Sequence, residues 1–302
     1  MPDSLSINHG PEHGGNFEYE WSSDTFQVHL LSDIGRKREH NEDSCVLCVP
    51  NDDDLRQRLG MVVAVADGMG GASAGEHASH LALTSFISQY YGAQKGTSIP
   101  VALESAIKQA NQTVFQEASD NPEYDGMGTT LSSLVLHGDN AYVGQVGDSR
   151  VYKQKPGQEL IQITQDHSLV WEQLQAGIIS EEEAKNHSMR NLITRAVGIK
   201  PDVEVDLFSM KISGGDVLLI CSDGLSGLID DPVIHDGINR DSLQATNRVL
   251  VGKALDAGGT DNVTIATVLA TSKLPKSDLQ AGCDELINEQ SGFLARLKQL
   301  FS

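Results

Sequence analysis

Three short apolar runs in this chain each end in an aspartate or begin just after one. Met61-Val-Val-Ala-Val-Ala66 runs into Asp67-Gly-Met-Gly-Gly71, and Val217-Leu-Leu-Ile-Cys221 runs into Ser222-Asp-Gly224. The third, Val263 to Leu269, directly follows Asp261-Asn262. Short, β-branched, uninterrupted apolar runs are the pattern expected of buried strands. One Asp-Gly pair is better read as a turn. Three aspartates on the ends of three buried strands are better read as oxygen ligands for a hard cation such as Mg²⁺ or Mn²⁺, with glycine allowing a backbone carbonyl to approach.

The rest of the chain fits around these strands. Residues 1–24, rich in Gly, Ser, Asn and His, are expected to form a flexible leader. Phe26, Val28, Leu30 and Leu31 suggest a strand, as do Val46, Leu47 and Val49, and Asn51-Asp-Asp-Asp54 suggests an acidic turn. Helical periodicity covers Ala74 to Tyr91 and Val101 to Ala118. Leu131 to Leu136 and Ala141 to Val146 form a hairpin across His137-Gly-Asp-Asn140, with a further strand from Arg150 to Lys153. Leu169 to Ala176 and Ser180 to Asn186 read as short helices, the second with Ser180 and Glu183 placed for a capping box. Residues 271–302 read as a linker followed by a short amphipathic helix. Antiparallel hairpins interleaved with helix pairs indicate an α+β fold.

Charge narrows the function. Lys+Arg 22 against Asp+Glu 42 leaves −20, which offers no general attraction to nucleic acid or anionic lipid. The same charge repels a phosphorylated substrate unless cations and local arginines reverse it at the site. The N-terminus lacks the apolar run of a secretory signal, and no stretch of about 18 apolar residues exists. Four cysteines and no signal make the reducing cytoplasm the expected location.

The motifs between the strands are more specific. In order they are Ser32-Asp-Ile-Gly-Arg-Lys-Arg-Glu-His-Asn-Glu-Asp-Ser44, Asp67-Gly-Met-Gly-Gly71, Gly128-Thr-Thr130, Val146-Gly-Asp-Ser-Arg150, Asp166-His-Ser-Leu169, Ser222-Asp-Gly224 and Gly259-Thr-Asp-Asn262. The ordered set resembles the metal-dependent (type 2C) Ser/Thr protein phosphatases in their bacterial form, from about Val28 to Leu269. The resemblance implies two antiparallel sheets packed face to face with helices outside. It implies a phosphatase domain over residues 25–270 with a flap over about 167–195. It also implies hydrolysis of phosphoserine and phosphothreonine by direct attack of a water bridging two metal ions, Mn²⁺ or Mg²⁺.

By the same resemblance Asp67 bridges the two ions and the Gly68 carbonyl binds one, while Asp223 and Asp261 complete the other. Asp148 joins Asp223 at a third, weaker metal site. Glu42 and Asp43 lie beside the pair and orient its waters. Arg38 holds the substrate phosphate through a planar fork, in preference to Arg36 or Lys37. The implied partners are phosphorylated proteins and a bacterial Ser/Thr kinase that makes them. One departure stands out: eukaryotic relatives carry a histidine, the proposed general acid, where this chain has Met69. That leaves room for an alternative, a phosphoprotein-binding pseudophosphatase, against which the complete acid set argues. His40 is a weaker candidate acid and reads better as an exposed loop histidine.

Two other signals read as structural. Cys45-Val-Leu-Cys48 has metal-site spacing but no second pair, and on a strand the two thiols face opposite ways. The apolar stripe Phe293, Leu294, Leu297, Leu300 and Phe301 fits packing onto the domain better than contact with a membrane surface.

Overall fold

The computed structural model describes residues 4–185 and 187–275. In chain order its elements are β1 (Leu5–Gly10), β2 (Phe17–Ser22), β3 (Phe26–Asp33), β4 (Asp43–Pro50), α1 (Asp53–Leu59), β5 (Met61–Met69), α2 (Ala72–Tyr91), α3 (Ile99–Asp120), β6 (Gly128–Thr129), β7 (Leu131–His137) and β8 (Asn140–Val146). They continue with β9 (Arg150–Gln154), β10 (Leu160–Gln162), α4 (Leu169–Gln175), α5 (Glu181–Lys185), β11 (Asp206–Lys211), β12 (Val217–Cys221), α6 (Asp223–Ser226), α7 (Asp231–Gly237), α8 (Leu243–Asp256) and β13 (Val263–Ala270).

The strands make two sheets, and every recorded pairing is antiparallel. One runs β1-β4-β5-β7-β8-β11 with β6 paired to β5, and the other runs β10-β9-β12-β13-β3-β2. Strand alternation sorts side chains into three apolar layers. On β5, Val63 and Val65 join Leu30, Ile220 and Ala266 between the sheets. Val62, Ala64 and Ala66 point the other way, against Phe86, Leu103 and Ile107 of α2 and α3. Leu219, Cys221 and Ile265 pack the outer face of the second sheet against Leu250 and Ala254 of α8. The fold is a sandwich of two sheets with helices on both outer faces. The parity that buries Val63 and Val65 between the sheets also turns Asp67 to that side, at the end of the sandwich.

The expected flexible leader is not what the fold contains. β1 pairs with β4 from Leu5↔Pro50 to Gly10↔Cys45. β2 pairs with β3 from Phe17↔Ser32 to Ser22↔Gln27. β1 covers a sheet edge and shows little apolar pattern of its own, whereas β2 did carry a strand signal, Phe17, Tyr19 and Trp21 at alternate positions packing on the layer between the sheets. Asn51 to Asp54 is likewise more than a turn: Asp52 caps α1 by accepting from the Leu55 amide at 2.8 Å. The capping box on α5 is present, with the Ser180 amide donating to Glu183 Oε2 at 2.8 Å and the Glu183 amide to Ser180 Oγ at 3.3 Å. The C-terminal amphipathic stripe and Cys283 lie outside the described residues. No helix among the described residues is long and apolar enough to cross a membrane.

The cysteine pair behaves as strand geometry requires. Cys45 lies between the sheets and Cys48 faces the helices. Burial pushes the Cys48 and Cys221 thiols up to about 12 and the Cys45 thiol higher still, so all three are inert, unionised core residues.

β1 also brings a titration into the fold. His9 stacks on His80 of α2 with centroids 4.2 Å apart, and its buried Nε2 has no hydrogen-bond partner. Burial first, then the neighbouring His80, lower His9 to about 3 from the ordinary 6.5. The folded state holds the ring neutral while the unfolded chain takes up a proton below its ordinary pKa. Stability is therefore whole above about pH 6.5 and falls as pH drops toward 3, by up to about 1.4 kcal/mol per pH unit. Denaturant titrations of wild type and His9→Phe between pH 7 and 4 are expected to diverge, with the variant losing less; parallel curves would refute the assignment.

Candidate metal and phosphate site

The site forms where strand ends meet at one end of the sandwich. Asp43 opens β4 and pairs in register with Asp67 on β5. Asp223 follows β12, Asp261 precedes β13, and Asp148 sits in the bend between β8 and β9. Burial, then the charges of Asp43, Asp223, Asp148 and Asp261, hold the Asp67 carboxyl well above the usual carboxylate range. Burial and Asp223 do the same to Asp148, and burial and Asp261 raise Asp223. Asp43 is raised to about 7, chiefly by burial, although Ser222 Oγ donates to its Oδ2 at 2.8 Å.

These carboxylates raise one another only because they share a small, poorly hydrated volume. Arg38 is the guanidinium set against them, its Nη2 2.9 Å from Asp261 Oδ2 and its Nη1 3.8 Å from Glu42 Oε1. One buried acceptor remains open: Asp148 Oδ1 is buried without a hydrogen-bond partner. A crowded, mutually repelling set of carboxylates with an orphaned oxygen fits divalent cations. Among the described residues no three such side chains already close into a ligand cage. Small hard ions such as Mg²⁺ do not require one, since they keep several waters and take one or two carboxylates each.

The backbone under Asp67 is held tightly. Its amide donates to Thr130 Oγ1 at 2.9 Å, and its carbonyl accepts from Thr130 N and Thr129 Oγ1, both at 2.9 Å. The Gly128-Thr-Thr130 motif is thus a brace for the aspartate. Gly68 has no room for a side chain: a Cβ there would lie 2.5 Å from the Glu42 carbonyl oxygen and closer still to that of Gly75 on α2. Met69 ends β5 opposite Gly128, and its thioether has no proton to give.

The remaining motif residues divide into those that face the site and those that position them. In Gly147-Asp-Ser-Arg150, Arg150 lines the same cavity as Asp148 but is held in a bidentate pair with Asp166, at 2.9 and 2.7 Å. Ser149 Oγ contacts Thr130 Oγ1 at 2.8 Å, leaving Asp148 as the member turned to the site. His167 clamps this bend, accepting from the Gly147 amide at Nδ1 (3.0 Å), with its Nε2 3.2 Å from Asp206 Oδ2. Asn262 is the brace on the other side. Its Oδ1 accepts from the Glu42 amide at 2.8 Å and its Nδ2 donates to the carbonyls of Ile34 and His40 at 2.9 and 3.0 Å. His167 and Asn262 have no assigned role in the sequence reading; their place beside the motif aspartates was the available signal. Arg36 pairs instead with Asp256 at 3.2 Å, and His40 is exposed on its loop. The helices of the expected flap, α4 and α5, face α6 and α7 across a cavity of about 560 Å³ that has Asp148 and Asp223 among its lining residues.

A family model described as Protein phosphatase 2C matches residues 35–255, which include Arg38, Glu42, Asp43, Asp67, Asp148 and Asp223 but stop short of Asp261 and Asn262. The chain belongs to that family. It is 36% identical over 241 residues to the serine/threonine phosphatase stp of Listeria welshimeri, covering 78% of this chain and 93% of that protein. The crystal structure of the serine/threonine phosphatase PstP of Mycobacterium tuberculosis superimposes with a TM-score of 0.72 at 33% identity, over 82% of this chain and 99% of that one. The catalytic domain of a PstP in complex with two manganese ions also matches, at 32% identity and a TM-score of 0.69, over 82% and 99% of the two chains.

Proposed function

We propose that this protein phosphatase 2C member hydrolyses phosphoserine and phosphothreonine on proteins phosphorylated by a Ser/Thr kinase, with its metal and phosphate groups at the Asp67 cluster. The observation that carries the reading is the convergence of Asp67, Asp148, Asp223 and Asp261 from separate strand ends, with the Arg38 fork at their edge. Asp67, the Gly68 carbonyl, Asp223 and Asp261 would hold a pair of divalent cations, Mn²⁺ or Mg²⁺, and Asp148 with Asp223 a third. Such a pair, when bound, lowers the pKa of a water and neutralises charge on a phosphoryl group. Asp43 and Glu42 border the cluster, Asp43 fixed by Ser222 and Glu42 by Asn262 and Arg38.

Arg38 supplies what the carboxylates cannot, a planar pair of donors for phosphate oxygens. In the structure Asp261 Oδ2 accepts from that fork, so a phosphate and Asp261 compete for the same donors. Arg38→Ala is expected to raise both KM for a phosphothreonine peptide and Ki for inorganic phosphate about ten-fold or more, and Arg38→Lys to recover only part of this. Steady-state assays in Mn²⁺ check it. The function itself is tested by phosphate release from a phosphothreonine peptide with and without Mn²⁺ or Mg²⁺. Tight peptide binding with no release under either metal would instead establish a phosphoprotein-binding protein.

A further inference from the structure

The loop that carries Arg38 runs from the end of β3 to the start of β4, crossing from one sheet to the other. A second crossing lies beside it. β1 ends at Gly10 opposite Cys45 of β4, and β2 begins at Phe17 opposite Ser32 of β3. Residues 11–16 must therefore span the same gap at the same end of the sandwich. Both strands lie before residue 35, where the family match begins.

The two crossings are joined by specific bonds at both ends of the Arg38 loop. At its start, the Ile34 amide donates to Asn16 Oδ1 at 2.8 Å, and Asn16 Nδ2 donates to Asp33 Oδ2 at 3.4 Å. At its end, Asn41 donates through its amide to the Gly14 carbonyl at 2.9 Å and through Nδ2 to the Gly15 carbonyl at 3.0 Å. Asn41 Oδ1 in turn accepts from the Asp43 amide at 3.2 Å. Gly14 has a left-handed backbone, φ +63°, and a Cβ there would come within 3.2 Å of Glu76 Oε2 on α2 and 3.3 Å of His40 Nδ1. Asn262 holds the loop from the opposite side through Ile34, His40 and Glu42. Arg38 is thus the exposed middle of a loop gripped on two sides, one grip being the crossing from β1 to β2.

We propose that residues 11–16 form a strap that positions the phosphate-binding loop, and that Asn16 is its positioning residue, setting where the Arg38 fork stands. This rests on the reading of Arg38 as the phosphate-binding group. Asn16 touches neither the carboxylate cluster nor Arg38, and it is exposed, so its truncation leaves the core intact. Its effect on phosphate affinity must pass through the loop.

The test is a double-mutant cycle on the full chain in Mn²⁺, with a phosphothreonine peptide as substrate and inorganic phosphate as competitive inhibitor. Asn16→Ala is expected to raise KM and the phosphate Ki about five-fold, with kcat within about two-fold and the Mn²⁺ requirement unchanged. In an Arg38→Ala background the same substitution is expected to change Ki by less than about two-fold, because the group it positions is gone. An unchanged Ki in Asn16→Ala, an equal rise in both backgrounds, or a shifted Mn²⁺ requirement would overturn the strap. Arg38→Ala alone leaving Ki unchanged would overturn the reading of Arg38 itself, and the two failures are distinguishable.

Discussion

Asp67→Asn is expected to lower Mn²⁺-dependent phosphate release by about 10³-fold or more, equivalent to about 4 kcal/mol of transition-state stabilisation, while the chain stays folded. The bonds that hold position 67 run from Thr129 and Thr130 to its backbone, and the amide side chain is nearly isosteric. Register with Asp43 and the packing of β5 should survive. The substitution removes one charge from carboxylates that raise one another, so the metal-free variant is expected to melt no lower than wild type. What it should lose is stabilisation by Mn²⁺, since a ligand stabilises only the state that binds it. Melting curves with and without Mn²⁺, beside the activity assay, separate this outcome from misfolding. Retained Mn²⁺ stabilisation together with retained activity would place the centre elsewhere.

Gly68→Ala is expected to be among the most damaging single-methyl changes in the site. The added Cβ meets the carbonyl oxygens of Glu42 and Gly75, both backbone atoms, one on β4's entry and one on α2. Neither can swing aside as a side-chain tip could. A cost of at least about 3 kcal/mol follows from forcing the strand end and the helix apart. A displacement of about 1 Å at the Gly68 carbonyl would also cost about 100-fold or more in activity. Gly71→Ala is the comparison: φ is +86° there, but no atom lies within 4 Å of the added Cβ. Its cost should stay near the penalty for a side chain in this glycine-favouring backbone region, ψ 147°, about 1–3 kcal/mol with no clash added. Denaturant midpoints should rank wild type, Gly71→Ala, Gly68→Ala in falling order, and equal losses at both positions would contradict the packing argument.

Much of this was legible before any coordinates. Apolar runs located β5, β12 and β13, helical periodicity located α2 and α3 to within two residues, and the Ser180–Glu183 pair marked a helix start that is present. Odd spacing on a strand told the Cys45 and Cys48 thiols apart, and they do lie in different apolar layers. The aspartates stood out because a carboxylate at the end of a buried strand is costly unless something charged meets it.

What was not legible has a common cause. β1 looks like a leader because an edge strand borrows its partners from the sheet and shows no apolar run of its own, while β2 shows its nature only in the alternation of Phe17, Tyr19 and Trp21. α8 was missed although it carries Leu250 and Ala254 into the outer layer, because Asn247 and Thr246 interrupt the stripe and are buried through hydrogen bonds to groups such as the His29 and Asn239 carbonyls and Thr267. Thr130, His167 and Asn262 were placed in motifs without roles, since their work is to hold backbone groups far away in sequence.

By itself, then, the sequence determined which residue types were available for the chemistry: aspartates on buried strand ends, the arginines Arg36 and Arg38 in one motif, and at position 69 a methionine with no proton to give. Local pattern suffices for that, because a strand's ends and faces follow from the order of its own residues. Only the tertiary structure decided that those aspartates share one volume and raise one another, and that the crossing between the first two strands binds the Arg38 loop. Each of these depends on contacts between residues tens to hundreds of positions apart, which exist only once the two sheets are packed.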